Sequence, residues 1–333
     1  MEEIISMSHG NGGKKTSRLI ENIILPSFNN KELNILGDGA LLNVSGSIAF
    51  STDSFVIYPY FFPGGDIGKL SVCGTVNDLL MCGSVPKYLS LSLIIEEGFK
   101  IEDLKKIIDS ISKTAEKANI KIVTGDTKVV DRGHGHGIYI NTAGIGERIE
   151  GIDLGRHRIE KGDKIIVSGS VGNHGVSILC ARENLLEGNI ISDCATLNEV
   201  VSAALDFGQA IKILRDPTRG GVATTLNEFV ENSSFSIELF EDKIPVDLNV
   251  KTACDLLGLD PLYSANEGKV LIVASADEAD NIVSALRKNK LSKDAEIIGE
   301  VVDYMPSKVI LKSSFGGRRI LDKLSHDILP RIC

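Results

Sequence analysis

Residues 101–126 read Ile101-Glu-Asp-Leu-Lys-Lys-Ile-Ile-Asp-Ser-Ile-Ser-Lys-Thr-Ala-Glu-Lys-Ala-Asn-Ile-Lys-Ile-Val-Thr-Gly-Asp126. Ile101, Leu104, Ile107, Ile108, Ile111, Ala115 and Ala118 recur at helical spacing with charges opposite, which predicts a helix over 101–118. Ile120–Val123 then reads as a short strand ending in Thr124-Gly125-Asp126. A helix handed to a strand that stops on Gly-Asp is the signature of a mixed α/β fold. The same alternation extends upstream. Ile48–Ile57 reads as a strand, Gly64-Gly65 as a turn, 68–82 as an apolar helix carrying Asn77-Asp78, and Tyr88–Ile95 as a half-buried strand. The glycine-rich, polar stretch 6–17 reads as mobile, and the helix after it is expected to end at Pro26.

Downstream, Ile138–Ala143 is a further strand, and a charged, glycine-bearing break follows over 147–163. The logic then resumes: strand 164–168, glycine loop 169–175, a helix, a long helix near 196–213, and Asp216-Pro-Thr-Arg-Gly-Gly221 ahead of another helix. Strand 269–275, helix 277–288 and strands near 296–301 and 308–312 complete the chain. No repeat period relates the halves. The expected organisation is a glycine-rich segment 1–35, a domain 36–155, a second α/β domain 156–325 and a mobile tail 326–333.

Composition narrows the class. With 333 residues, 43% hydrophobic and 24% charged, the chain has apolar material for two cores. A net charge of −9 argues against a nucleic-acid binder that works by neutralising phosphates, and 5% aromatics without Trp offers few base-stacking platforms. The acidic start lacks a signal-peptide hydrophobic region, and no apolar run is long enough for a bilayer, so the cytoplasm is the expected location. Six cysteines show neither a C-x-x-C pair nor a zinc-ligand quartet, and read as buried small hydrophobes. Cys333 is the exception, a thiol on the last residue.

Chemistry concentrates in acids beside small residues at segment ends: Asp38, Asp53, Asp66, Asp78, Asp126 and Asp216. Turn preference explains any one of them. Six together fit a hard-cation and phosphate site, since Mg2+ takes carboxylate oxygens and shares its shell with substrate phosphates. A Walker A loop is excluded, because Ser8 precedes Gly13 where Gly is required and Lys15 follows Lys14 where Ser or Thr is required. No Gly-x-Gly-x-x-Gly loop joins a strand to a helix. His134 and His136 read as a flexible loop rather than a metal pair. Gly172-Asn-His-Gly175 is open to two readings, an anion-binding turn through backbone N–H groups or a tight connection. Glu267 and Lys269 are likewise either an acid/base and phosphate pair or an exposed ion pair.

Taken together, Ser8-His-Gly-Asn-Gly-Gly13, Gly37-Asp-Gly-Ala40, Phe61-Phe-Pro-Gly-Gly-Asp-Ile-Gly68, Gly74-Thr-Val-Asn-Asp-Leu79, Thr124-Gly-Asp-Thr-Lys128, Ser192-Asp-Cys194, Arg215-Asp-Pro-Thr-Arg-Gly-Gly221, Leu226-Asn-Glu228, Ala265-Asn-Glu-Gly-Lys269 and Pro330-Arg-Ile-Cys333 resemble the hydrogenase maturation factor HypE family. That family belongs to the superfamily of aminoimidazole ribonucleotide synthetase and selenophosphate synthetase. The resemblance implies a two-domain fold whose N-terminal domains, which bind ATP, pair into a barrel-like homodimer core. It implies ATP-dependent dehydration of an S-carbamoyl group on Cys333 to a thiocyanate, whose cyanide goes to the iron of a [NiFe]-hydrogenase. A carbamoyltransferase loads Cys333, and a hydrogenase maturation complex accepts the cyanide. Among site residues, it implies Asp38, Asp53, Asp78 and Asp216 for Mg2+ and phosphate. Lys69, Asp126, Thr218, Arg219 and Gly220 join them for ATP. Lys128 would neutralise developing charge, Glu267 would act as base, Asn77 would orient the metal or the carboxamide, and Cys333 would carry the substrate. The chain departs from the family pattern at Asn173, where Asp is expected, and at His134-Gly-His136. Two other readings compete: a superfamily enzyme acting on a free small molecule, and a carrier that only displays a modified thiol.

Overall fold

The structure is a computed structural model that describes residues 3–36, 39–183, 185 and 190–324. Asp38, Cys333 and the 326–333 tail lie outside the described residues. The chain forms two compact units. One holds the residues up to Leu79 with Ser84–Arg148, and the other holds Leu80–Gly83 with the residues from Ile149 onward. No helix among the described residues is long and apolar enough to cross a membrane.

The first unit opens with a helical segment, α1 (Lys14–Leu19), a π-helical stretch (Ile20–Ile24) and α2 (Leu25–Phe28). Pro26 does not end this segment. It falls in the first turn of α2, directly after the widened π stretch, where its missing N–H and bulky ring are tolerated. The residues before α1 are tied to the sheet: Ile5 exchanges backbone hydrogen bonds with Phe99 and Gly98, both 2.8 Å. Next come β1 (Ile48–Phe55), β2 (Phe61–Phe62), β3 (Gly65–Asp66), α3 (Ile67–Met81), β4 (Ser84–Glu96), α4 (Ile101–Lys117), β5 (Lys121–Val130) and β6 (Ile138–Arg148). The sheet order is β1-β6-β4-β5. β4 and β5 run parallel, as expected for strands joined through a helix, and the other pairs are antiparallel. β5 runs well past Val123, so Thr124-Gly-Asp126 lies inside the strand rather than at its end. α4 buries Leu104, Ile107, Ile108, Ile111 and Ala115, the stripe its spacing predicts.

The second unit contains β7 (Lys164–Val167), α5 (Asn173–Glu183), α6 (Asn198–Leu205), β8 (Ile211–Arg215), α7 (Gly221–Val230), β9 (Ser236–Phe240), α8 (Leu248–Leu257), β10 (Leu271–Ala274), α9 (Ala279–Leu286), β11 (Glu296–Val302), β12 (Val309–Lys312) and β13 (Arg318–Leu321). Its sheet order is β13-β12-β9-β11-β7-β10-β8. The long helix expected near 196–213 is two elements. α6 stops at Leu205, and Ile211–Arg215 pairs with β10 as an edge strand. Burying Ile211 and Leu214 against the sheet overrides a helical pattern that three apolar residues cannot distinguish from a strand. β9, α8 and β13 have no counterpart in the sequence reading. The core is built by Ile165, Val167, Leu226, Phe229, Leu239 and Leu271 among others. Both sheets are open, and no closed barrel forms among the described residues.

Candidate functional site

Two of the acids lie on one side of a strand–helix contact. Ser51, Asp53 and Phe55 alternate onto the face of β1 that looks at α3. Ser51 Oγ donates to Asp78 Oδ2 at 2.6 Å. Asp53 Oδ2 lies 3.7 Å from where a Cβ on Gly74 would stand, and the Phe55 ring lies 2.8 Å from it. A two-residue step on the strand thus matches a four-residue step on the helix, which sets Asp53 and Asp78 on one side. Asn77, beside Asp78, is buried. Thr142 of β6 locks α3 down, bonding Thr75 Oγ1 at 2.6 Å and the Ser71 carbonyl at 3.0 Å.

Asp66 and Lys69 serve the start of α3. Asp66 Oδ1 accepts the N–H groups of Gly68 (2.7 Å) and Lys69 (3.1 Å), and Oδ2 accepts Ser110 Oγ at 2.5 Å. Burial pushes the Asp66 carboxyl up against these bonds. Lys69 Nζ donates to the Gly64 carbonyl at 2.8 Å. Asp66 is therefore a helix cap.

Asp126 and Lys128 sit two apart on β5, and Lys128 Nζ donates to Asp126 Oδ1 at 2.7 Å. This bond, with the Thr127 N–H, holds the Asp126 carboxyl below its usual range. Their Cα partners on β4, Ser92 and Ile94, face away from α3, whereas Asp53 pairs with Thr142, which faces it. β1 and β5 are opposite edges of the sheet. Three strand spacings amount to about 14 Å. Within one chain, then, Lys128 and the Asp53–Asp78 pair are on opposite faces and are not brought together. Asp126 and Lys128 instead border a cavity of about 380 Å3 between β5 and the α1–α2 segment, lined also by Gly12, Thr16, Ile20, Ile24 and Phe28.

In the second unit four motif loops converge. Asn266, fully buried, accepts the Gly172 N–H at 2.7 Å and donates to the carbonyls of Pro217 (3.0 Å) and Ser264 (3.1 Å). Asp193 accepts the N–H groups of Glu267 (3.1 Å) and Gly268 (3.3 Å) and pairs with Lys269 at 3.3 Å. His174 Nδ1 bonds Ser192 Oγ at 2.8 Å. Glu267 is buried here. Gly172 and Gly175 both spend their N–H groups inside the protein, the latter on the Ala265 carbonyl at 3.0 Å, so this turn is a structural connection.

Asp216, Thr218, Arg219 and Gly220 line an open cavity of about 610 Å3 at the start of α7, together with Lys323 and Leu324. Gly220 (φ 74) and Gly221 (φ 60) both require left-handed backbone. A Cβ on Gly221 would stand 2.5 Å from the carbonyl oxygens of Leu262 and Ser264. The cavity lies beside the N-terminus of α7, whose first N–H, that of Gly221, is bonded to the Thr218 carbonyl at 3.0 Å.

His134 and His136 acquire no further ligand: no group of three His, Cys, Asp or Glu side chains able to hold a metal forms among the described residues. Sequence reasoning gave no role to Ser51, Asp193 or Asn266. Asp193 and Asn266 stand inside quoted motifs, but only the fold shows that each ties two or more of the loops together.

Comparison with known proteins gives concordant results. AIR synthase related protein, N-terminal domain, matches residues 36–148, and the C-terminal domain of the same description matches 160–312. Carbamoyl dehydratase HypE of Bradyrhizobium diazoefficiens is 45% identical over 332 residues, covering 99% of this chain and 96% of the relative. A crystal structure of hydrogenase maturation protein HypE in complex with ATP superposes with a TM-score of 0.94 at 43% identity, covering 98% of this chain and 99% of that one. A HypE–HypF complex structure matches with a TM-score of 0.81 at 46% identity, covering 92% and 99%.

Proposed function

The chain belongs to the HypE family of AIR synthase related proteins, and from that premise we propose that it dehydrates an S-carbamoyl group on its own Cys333, at the expense of ATP, to a thiocyanate. The observation that carries this reading is the position of Lys323 and Leu324 in the wall of the second unit's cavity. Lys323 and Leu324 line the cavity shared by Asp216, Thr218, Arg219 and Gly220, nine residues before Cys333. Nine residues reach at most about 30 Å, enough to return a thiol to a site on the same protein.

The reaction follows from leaving-group chemistry. Carboxamide oxygen leaves poorly. Its attack on the γ-phosphorus of ATP forms a C–O–P link and releases ADP. Loss of both nitrogen protons and cleavage of the C–O bond then give S–C≡N and phosphate, so that the water removed is accounted for by ATP hydrolysis. Such a transfer depends on positioning and charge neutralisation. Asp53 and Asp78 supply hard oxygen donors from one face, which fits Mg2+ held by one or two carboxylates and completed by phosphates. When bound there, the ion would offset phosphate charge. Asp38 belongs to the same proposed set, and Asp216 supplies a carboxylate in the second unit's cavity. Asp216, Thr218, Arg219 and Gly220 with the α7 N-terminus receive phosphate oxygens, and Lys69 and Asp126 belong to the same nucleotide-binding set. Lys128, paired with Asp126 on the other face of its own sheet, would neutralise developing charge at the site of the second copy in the homodimer. Glu267, its backbone fixed by Asp193, takes a nitrogen proton, and Asn77 orients the amide.

The protein acts as a homodimer in the cytoplasm. Ile48, Phe50, Val85 and Ile94 lie exposed on the sheet face opposite α3, an apolar surface suited to a second copy. A carbamoyltransferase partner loads Cys333, in keeping with a relative that assembles with HypF. A hydrogenase maturation complex takes the cyanide. The test is the mass of the carbamoylated C-terminal peptide. Loss of one water on adding ATP and Mg2+, with ADP formed, is the expected result, and an unchanged mass refutes the proposal.

A further inference from the structure

β13 is a four-residue strand at the edge of the second unit's sheet, with four residues between it and the 326–333 tail. So short an edge strand is weak on its own. Its end is nevertheless held at successive carbonyls. Asn227 Nδ2 donates to the Leu321 carbonyl at 2.8 Å, and Tyr263 Oη donates to the Asp322 carbonyl at 2.9 Å. The Leu321 side chain is fully buried between them. Just upstream, Arg319 pairs with Asp260 at 2.6 Å and Arg318 with the buried Glu238 at 2.7 Å. Burial works against ionisation of Glu238, but Tyr304 and Arg318 outweigh it and hold the carboxyl below its usual range.

The donors come from the elements that build the phosphate-binding cavity. Asn227 stands on α7, whose N-terminus carries Gly220 and Gly221, and Tyr263 lies between Leu262 and Ser264, whose carbonyls cover Gly221. We propose that Asn227 and Tyr263 are positioning residues that pin the root of the C-terminal tail to the cavity wall and thereby set how often Cys333 meets the site. The inference rests on the tail-borne substrate of the proposed function.

Its size follows from tether length. With the root pinned, nine residues separate Leu324 from Cys333. With β13 released, the free tether starts after Lys312 and spans 21 residues. Effective concentration falls roughly as the −3/2 power of length, so complete release lowers it about threefold to fourfold.

The test compares tethered and free substrate. In the carbamoylated full chain, the Asn227→Ala/Tyr263→Phe pair is expected to slow ATP-dependent loss of water from the tail by up to about threefold in a single turnover, complete release being opposed by the β12–β13 ladder and the two arginine pairs, and Tyr263→Phe alone by less. A Cys333→Ala chain carrying the same pair, given a carbamoylated peptide of residues 325–333, is expected to keep its kcat/KM. An unchanged tethered rate overturns the clamp, as does an equal fall with the free peptide, which would mean a damaged site. A wild-type chain whose tail never loses water refutes the proposed function itself, a result distinct from either.

Discussion

Gly221→Ala tests the geometry on which the second unit's cavity depends. The substitution carries two costs. A non-glycine residue at φ 60 pays about 1–2 kcal/mol for left-handed backbone. Its Cβ would also stand 2.5 Å from two carbonyl oxygens, those of Leu262 and Ser264. Both are backbone atoms that no rotamer change can move aside, so overpacking adds about 1–3 kcal/mol. Gly258 supplies the control, because it too has positive φ (67) but nothing within 4 Å of a built Cβ. Gly258→Ala should therefore show the backbone cost alone. Thermal or denaturant unfolding of the two variants should differ by the steric share, about 1–3 kcal/mol, or very roughly 2–4 °C per kcal/mol for a domain of 150–250 residues. Gly221→Ala should also weaken ATP binding, by displacing the turn that presents Thr218, Arg219 and Gly220. Equal destabilisation of the two variants would refute the close-approach argument, and unaltered ATP affinity would refute the role given to the turn.

Three further outcomes follow from the first unit. Asp78→Asn should lower ATP-dependent conversion of the tail by about 100-fold or more, the loss of roughly 3 kcal/mol of transition-state stabilisation. The neutral hydrogen bond left to Ser51 should keep the stability loss near 1 kcal/mol. Retained turnover would remove Asp78 from the site. For Asp66, burial raises the folded-state carboxyl pKa. Its contribution to stability is full below the unfolded value near 4 and is lost as pH rises through the higher folded value. Wild type should therefore gain stability relative to Asp66→Asn when acidified from neutral pH, and a shift of the opposite sign in unfolding midpoints would contradict the assignment. Phe50→Asp, on the exposed apolar sheet face, should convert a dimer to a monomer in sedimentation equilibrium without unfolding the chain. A dimer that persists would place the interface elsewhere.

The elements that sequence alone determined are those whose pattern is long enough to have one solution. α4 shows seven apolar positions at helical spacing, and its structure buries the stripe they define. The two-unit α/β organisation and the loop motifs are legible for the same reason, since strand, turn and helix chemistry are local properties. β8 was not legible: its apolar residues suit a helix or a strand equally, and only pairing with β10 chooses. The candidate site divides in the same way. Residue types and their neighbours mark the acids, yet they say nothing of direction. Asp66 proved to be a helix cap, because the N–H groups of Gly68 and Lys69 point at it. Asp53 and Asp78 share a side because a two-residue step on β1 matches a four-residue step on α3. Lys128, which the sequence reading set beside these acids, stands on the other face at the opposite edge of the sheet. Strand side chains alternate faces with a period of two, while sheet order joins segments far apart in the chain. Which charged groups share a face is therefore a property of register and topology, and those are decided only when the tertiary structure forms.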